Sequence, residues 1–245
     1  MAGKSLPHDD ALGAAATRGG DLTPKMRDYL VQVYRLCDRE GEPGGYISTS
    51  AVADSKIVSA PAVNRMIGRL RDLGLVDHEP YKGIRLTPAG QQTALIQLRR
   101  HRIIESFLVS VMGFGWHQVH EEADRMAPAA TDPLIDRMAA MAGNPTHCPH
   151  GEPIPSKDGV IAAPEDLLLV DAPQHTPLIL SRVRTREADR LEYLKALELT
   201  PGTILEVHHA APFHGPLQLK LEGSREGYRI IGHNLAEMVR VRPAS

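Results

Sequence analysis

Histidine and carboxylate side chains recur at helical spacing in two places along the chain. His101 and Glu105 lie four residues apart, and so do His120 and Asp124. Residues four apart lie on one face of a helix, so each pair can point at a common target. Two imidazoles with carboxylates suit a divalent first-row metal ion, and the large share of oxygen ligands favours Mn²⁺ or Fe²⁺. The spacing therefore predicts a metal site in which two helices bring His101, Glu105 and His120 together.

The stretch HEEADRMAP, residues 120–128, loses its polar side chains as it continues. Ala127 and Pro128, which follow on the ligand face, offer no side-chain ligand. Proline also removes a backbone N–H, so we expect the helix to end or kink there. A second interpretation stays open from spacing alone: His101 is an ordinary surface histidine and Glu105 is a solvated helix residue.

The elements that precede these ligands predict a small DNA-binding domain. A helix begins at Pro24 after the Thr23 cap, and a short helix, a tight connection and a third helix that ends at Gly74 follow it. Two short strands then form a hairpin around Lys82 and Gly83. This order of elements is typical of a winged helix-turn-helix.

The third helix carries the residues that would read DNA. Its apolar side chains form one stripe, and Asn64 and Arg65 face away from that stripe. In a major groove, arginine recognises guanine and asparagine recognises adenine. Ser59 and Pro61 begin this helix, and Lys82 in the hairpin would lie along phosphates. The alternative is a three-helix domain with an ordinary polar surface.

The distribution of charge favours DNA over that alternative. Residues 59–102 contain eight Lys or Arg and three Asp or Glu, whereas residues 120–171 contain three and ten. The basic segment coincides with the predicted DNA-binding elements, and the acidic segment includes part of the predicted metal site.

Composition places the chain among globular proteins without disulfide frameworks. It has 245 residues, 42% of them hydrophobic, and a formal net charge of −2. The only cysteines, Cys37 and Cys148, are too few for a framework and indicate a reducing compartment. Residues 1–21 are typical of a disordered tail without a signal-peptide core, and no apolar run reaches membrane-spanning length. We therefore expect a cytoplasmic protein with no membrane partner.

A Pro- and Gly-rich stretch, residues 144–172, is typical of a linker. Within it, His147, Cys148 and His150 have the composition of a metal cluster. A rigid loop is the favoured interpretation, because zinc normally takes four ligands and a lone cysteine between prolines supplies too few. The next segment, residues 173–243, predicts a small antiparallel β-barrel from its short alternating strands, with one helix among them.

In this order the motifs resemble the diphtheria toxin repressor family, the iron- and manganese-dependent repressors. The resemblance runs from about Leu22 onward and rests on MRDYLVQVY, SAPAVNRMIGRLRDLGLV, RRHRIIESFL, VHEEADR and GNPTHCPHGEPIP. It implies an α+β multidomain fold with a winged helix-turn-helix at residues 22–92, an all-helical metal-binding and dimerisation domain at 93–143, and an SH3-like β-barrel at 173–243. It also implies a homodimer that grips a palindromic operator once metal is bound.

The resemblance assigns ligands by position. His101, Glu105 and His120 match the family's ancillary site, and Glu187 matches one of the positions from which the SH3-like domain completes that site. The primary site departs from the family pattern, because its positions read Asp124, Ala127 and Pro128. Asp28 matches an aspartate of manganese-responsive members, so Asp28 and Asp124, with His101, could form a second and much weaker site.

The sequence as a whole predicts a metal-dependent repressor that binds double-stranded DNA and is not an enzyme. One alternative is a winged-helix regulator that responds to an organic ligand or a partner protein. The other is a metallohydrolase that uses His101, Glu105 and His120. Against the hydrolase, no nucleophile or general base lies near these residues in a recognisable motif.

Overall fold

The structure, a computed structural model, describes residues 22–39, 45–56, 58–223 and 227–244. The chain divides into two units, Met1–Leu98 with Ser156–Val160 and Arg99–Pro155 with Ile161–Ser245. The predicted tail, residues 1–21, lies outside the described residues, and the domain boundaries predicted above stay predictions.

The first unit contains the predicted helices and hairpin. In chain order these are α1 (Pro24–Arg39), α2 (Thr49–Lys56), α3 (Ala60–Asp72), β1 (Val76–Glu79) and β2 (Gly83–Leu86). One apolar core joins them, in which Leu30, Ile67 and Ile84 are no more than 1% exposed. The predicted winged helix-turn-helix is thereby confirmed.

The hairpin formed by β1 and β2, called the wing below, depends on a glycine at its turn. Val76 pairs with Leu86 and Glu79 with Gly83, while Ile47 exchanges backbone hydrogen bonds with Ile84. Gly83 has a φ of 108°, and a Cβ there would lie 2.2 Å from the carbonyl oxygen of Ile47. A side chain would therefore clash with the neighbouring backbone, which explains why the turn needs glycine.

The second unit begins with helices that pack around a separate core. They are α4 (Pro88–Ser110), which belongs to this unit from Arg99 onward, α5 (Val119–Met126) and α6 (Asp132–Met141). Ile104, Val119 and Ala123 are fully buried between them. The end of α5 at Met126 confirms the helix end predicted next to Ala127 and Pro128.

Residues 144–155, predicted as part of a linker, are folded against the rest of the second unit. The backbone N–H of Val183 donates to the carbonyl of His150, and Arg102 donates to the carbonyl of Pro153. Gly151 has a φ of 84°, and a Cβ there would lie 2.0 Å from the carbonyl oxygen of Ser181. This close approach of two backbones fixes the segment against β4.

The C-terminal part of the second unit is an antiparallel sheet. Its strands are β3 (Leu167–Leu168), β4 (Leu178–Val183), β5 (Ile204–Ala210), β6 (Leu217–Leu221), β7 (Arg229–Ile231) and β8 (Val239–Pro243), in the spatial order β3-β8-β4-β5-β6-β7. A helix, α7 (Ala188–Ala196), follows β4, and a short one, α8 (His233–Ala236), precedes β8. Short strands and one helix were predicted for this segment and correspond to β4 to β8 and α7, whereas β3 and α8 were too short to leave a pattern. Among the described helices, none combines the length and apolarity that a bilayer span requires.

Candidate metal centre and DNA-binding surface

Glu105 is the centre of a buried cluster of potential metal ligands in the second unit. Its side chain extends from α4 and is 2% exposed. One carboxylate oxygen, Oε1, lies 2.5 Å from Nδ1 of His120 on α5 and 3.3 Å from Nδ1 of His101, one turn earlier on α4. The structure thus brings potential ligand atoms of His101, Glu105 and His120 close together, as the spacing predicts.

The imidazoles of this cluster are incompletely hydrogen-bonded within the described part of the chain. Both ring nitrogens of His101 and Nε2 of His120 are buried without a hydrogen-bond partner. Nε2 of His101 lies 2.9 Å from Asp124, but the groups are not oriented to form a hydrogen bond. A buried polar atom left unsatisfied costs about 1–3 kcal/mol. Ring nitrogens with unused lone pairs beside a carboxylate fit a divalent cation.

Cys148 and His150 extend the cluster on the other side of Glu105. Nδ1 of His150 lies 3.9 Å from the second carboxylate oxygen, Oε2, and 3.8 Å from Sγ of Cys148. Both residues are buried, and Glu105, Cys148 and His150 form a second group with ligand spacing. The rigid-loop interpretation of these residues missed this. The residue types were the signal, but their approach to Glu105 depends on the contact with β4.

Burial and charge set the protonation of the cluster in favour of metal binding. Burial alone would raise the pKa of Glu105, but attraction to His101 and the hydrogen bond with His120 hold it well below the usual range. Burial lowers the pKa of His120, and it lowers the pKa of His150 to about 4 against the opposing pull of Glu105. Near neutral pH Glu105 is therefore charged and His120 and His150 are neutral, which are the ligand forms of a carboxylate and of an imidazole.

Asp124 lies at the margin of this cluster. Its carboxylate approaches His101 and accepts a 2.6 Å hydrogen bond from Arg186. Burial would raise the pKa of Asp124, but these two partners lower it strongly, so the carboxylate stays charged. Its grouping with Asp28 remains a prediction, because Asp28 belongs to the first unit, where its carboxylate pairs with Lys56.

Glu187 is the predicted ligand that the structure does not bring to the cluster. It precedes α7 as the N-cap residue, and its half-exposed carboxylate pairs with Arg190 at 2.7 Å. The metal-ligand groups found among the described residues do not include it. Arg186, one position earlier, instead makes the contact with α5 through Asp124.

The predicted DNA-reading side chains lie on the outer face of α3. Asn64 and Arg65 are exposed, while Val63 and Ile67 on the opposite face are buried. Ser59, the N-cap residue, makes no side-chain hydrogen bond to the helix, so its hydroxyl can donate to a phosphate.

The wing carries paired rather than isolated charges. Lys82 lies 2.7 Å from Glu79, which also accepts a hydrogen bond from the hydroxyl of Tyr46. Arg85 pairs with Asp77 at 3.0 Å. By contrast, no ion pair involves Arg65 in the part of the chain that the structure describes. The charge of Arg65 on α3 is therefore less neutralised than the charges of Lys82 and Arg85 in the wing. For this reason α3 should attract a phosphate backbone or a guanine more strongly than the wing does.

Three family models match the chain in succession. They are "iron dependent repressor, N-terminal DNA binding domain" over residues 21–84, "iron dependent repressor, metal binding and dimerisation domain" over residues 87–156, and "FeoA domain" over residues 167–243. The chain belongs to the diphtheria toxin repressor family. The FeoA match agrees with the SH3-like barrel expected for members of this family.

Individual family relatives agree with the match. A diphtheria toxin repressor of Corynebacterium efficiens is 31% identical over 136 residues, which are 55% of this chain and 57% of that protein. The chain therefore matches less than two thirds of that relative's length. An uncharacterised HTH-type transcriptional regulator of Methanocaldococcus jannaschii is 32% identical over 117 residues, 48% of this chain and 91% of that protein.

A solved structure extends the similarity to most of the fold. A manganese-dependent transcriptional repressor in complex with manganese aligns with a TM-score of 0.81 and 28% identity, over 89% of this chain and 99% of its own. The manganese belongs to that structure. In the present chain, the argument for a metal site rests on the positions of the potential ligand atoms around Glu105.

Proposed function

We propose that this family member is a transcriptional repressor that binds operator DNA as a homodimer when Mn²⁺ or Fe²⁺ occupies the cluster around Glu105. The observation that carries the proposal is the position of one buried carboxylate between His101 and His120, in a chain that also presents an exposed Arg65 on a helix-turn-helix. The first feature suits a cation, and the second suits a DNA groove.

The cluster's residues would hold the ion from two helices at once. A bound cation would neutralise the charge of Glu105 and accept the lone pairs of the imidazole nitrogens. His101 and Glu105 extend from α4, and His120 extends from α5, so binding strengthens the contact between these helices. Asp124 adds a charged carboxylate at the margin, held in place by Arg186.

A regulatory role suits this burial better than hydrolysis does. A catalytic metal keeps an open position for water or substrate. Here Glu105 and His101 are buried, and the His120 side chain is 12% exposed. A substrate would have little access to an ion held among them, whereas a structural or regulatory ion needs none.

Exposed apolar side chains of the second unit support dimerisation. Met112, in the turn after α4, is 56% exposed, and Leu134 and Met141 on α6 are 44% and 51% exposed. Large apolar side chains on a surface commonly mark a protein interface. Two copies related by a twofold axis would present two α3 helices, which is why we propose a palindromic operator.

One observation favours an organic effector as a second candidate. A cavity of about 390 Å³ in the second unit is bordered by Cys148, Arg182 and Asp166. This volume is within the usual range for small-molecule sites. An effector there would make DNA binding independent of added metal.

DNA retardation with defined metals tests the proposal. An operator would be enriched from a random duplex pool with the Mn²⁺-loaded full chain, then bound in the presence of Mn²⁺, Fe²⁺, Zn²⁺ or a chelator. We expect Mn²⁺ or Fe²⁺ to promote binding, the chelator to reverse it, and His120→Ala to abolish the metal response. His209→Ala, which alters an exposed histidine of β5, is the control. Equal DNA binding with chelator and with metal would reject the metal-dependent repressor and favour the effector candidate.

A further inference from the structure

A further group of potential metal ligands lies on the outward side of β5 and shares no residue with the cluster around Glu105. It consists of Glu206 and His208 on β5 and of His175 in the segment before β4. Each residue offers one ligand atom, and these atoms lie within 4.8 Å of one another. His175 and Glu206 are 31 positions apart in the chain, so the fold, and not local spacing, brings them together.

The backbone of β5 directs two of these side chains away from the core. Glu206 and His208 flank Val207, which is 1% exposed and packs inside the sheet, so alternation along the strand turns both of them outward. The register against β6 shifts between Val207 and His209, which makes His208 the extra residue of a β-bulge. Bulges are over-represented beside functional sites, where they redirect a side chain.

The third side chain is positioned by a backbone contact with the same strand. The N–H of His175 donates to the carbonyl of Val207 at 2.9 Å, and Gln174 forms a parallel bridge with Val207. His175 has a φ of 58°, which residues other than glycine rarely adopt. Its half-exposed imidazole has Nδ1 3.4 Å from Oε1 of Glu206, and its ring lies edge-on to His208 with the centroids 5.3 Å apart.

Tyr228, which precedes β7, fixes the ring of His208. The two rings are stacked with their centroids 4.4 Å apart, and the tyrosine hydroxyl lies 3.1 Å from Nε2 of His208. Metal-binding histidines usually have a hydrogen-bonded partner that sets the orientation of the imidazole. Tyr228 therefore provides for His208 the support that a ligand requires.

We propose that His175, Glu206 and His208 form a surface site for a late first-row divalent ion, with zinc as the expected occupant. Two histidines and one carboxylate are an established zinc ligand set, and affinity for such ligands rises from Mn²⁺ towards the later ions of the row. The ion would join the segment before β4 to β5, so its binding would stabilise the C-terminal sheet. The site goes beyond the proposed function and does not depend on it.

Histidine modification by diethyl pyrocarbonate, read by peptide mass spectrometry on the full chain, tests the site. The rates would be compared in EDTA and in Zn²⁺. Zn²⁺ at about ten times its dissociation constant should slow the modification of His175 and His208 about 10-fold, since only the unbound fraction reacts. His209, the exposed next residue of β5, is the internal control and should keep its rate. Equal slowing of the three histidines, or of none, would overturn the proposal.

Calorimetric titration with Zn²⁺ gives a second readout. His208→Ala should bind one Zn²⁺ fewer per chain than the unmodified protein, whereas His209→Ala should bind the same number. If His208→Ala fails to fold, His175→Asn replaces it, because asparagine tolerates the positive φ at this position. An unchanged number of ions in the ligand variant would overturn the site.

Two measurements separate this site from the proposed function. His120→Ala, which alters the cluster around Glu105, should leave the protection of His175 by Zn²⁺ intact, and loss of that protection would contradict an independent site. Mn²⁺-dependent DNA retardation reports on the proposed function alone. If retardation fails while His175 and His208 are protected, the proposed function falls and the surface site stands.

Discussion

The metal cluster and the DNA-binding surface are built in opposite ways. The cluster assembles buried side chains from α4, α5 and the loop at Cys148, each fixed by contacts with other elements. The surface presents exposed side chains of one helix, α3, whose positions follow from helical periodicity alone. A substitution in the cluster should therefore affect several groups at once, whereas one on α3 should affect a single contact.

Removal of the Glu105 carboxylate should have the largest effect. Glu105→Gln keeps the shape of the side chain but removes the charge that both ligand groups share. Loss of a metal's outer-shell partner alone costs about 10–100-fold in affinity, so loss of this ligand should cost at least about 100-fold. Calorimetric titration with Mn²⁺ under anaerobic conditions measures it. Glu121→Gln, an exposed carboxylate on α5, is the control and should leave affinity within a factor of two. Similar affinity in both variants would remove Glu105 from the centre.

Arg65→Ala should have a smaller and more local effect. Loss of a bidentate contact should cost about 1–3 kcal/mol at one base pair and relax the preference there, while other positions keep theirs. Binding to a set of single-base operator variants measures it.

Lys82→Ala, in the wing, is the variant to compare with Arg65→Ala. It should weaken binding to all sequences alike and reduce the dependence on salt, because a phosphate contact carries no sequence information. Its pairing with Glu79 should make even this effect modest. Equal losses of specific and non-specific affinity in both variants would mean that α3 does not read the groove.

Acid should destabilise the metal-free chain through His150. Its pKa is lowered from an ordinary 6.5 to about 4. As pH falls through this interval the unfolded chain binds a proton that the folded chain excludes, so stability present above about pH 6.5 is lost toward pH 4. Between pH 7 and pH 5 the contribution is about 2 kcal/mol. Urea unfolding of the unmodified chain and of His150→Gln should show this difference in pH dependence. Identical pH dependence in the two proteins would contradict it.

Glu187→Ala should have the smallest effect. Its carboxylate pairs with Arg190 on the surface, so Mn²⁺ affinity should change less than twofold. Arg186→Ala, one position earlier, should weaken Mn²⁺ binding more, because it releases Asp124 from its place beside His101. If Glu187→Ala weakened Mn²⁺ binding more than Arg186→Ala did in the same calorimetric titration, Glu187 would be a ligand.

What could be predicted from the sequence follows the same division. Helices, strands, the outward face at Asn64 and Arg65, and the meeting of His101 with Glu105 all depend on short-range periodicity. Cys148 and His150 could not be placed in this way, because a Pro- and Gly-rich segment has no periodicity and only its contact with β4 brings it to Glu105. Glu187 lies apart from the ligand groups for a related reason. The family resemblance places Glu187 at a ligand position, but the side chain that reaches α5 is that of Arg186, one residue before the N-cap of α7.

The central claim is that metal occupancy and DNA binding are coupled, and reciprocal titration tests this most directly. If Mn²⁺ raises the affinity for operator DNA by some factor, linkage requires the operator to raise the affinity for Mn²⁺ by the same factor. Mn²⁺ binding would be measured with and without saturating operator, for the unmodified chain and for Glu105→Gln. We expect operator to tighten Mn²⁺ binding of the unmodified chain by about 5–150-fold, the usual range of such coupling, and to have no such effect in the variant. Unchanged Mn²⁺ affinity of the unmodified chain in the presence of operator would contradict the account.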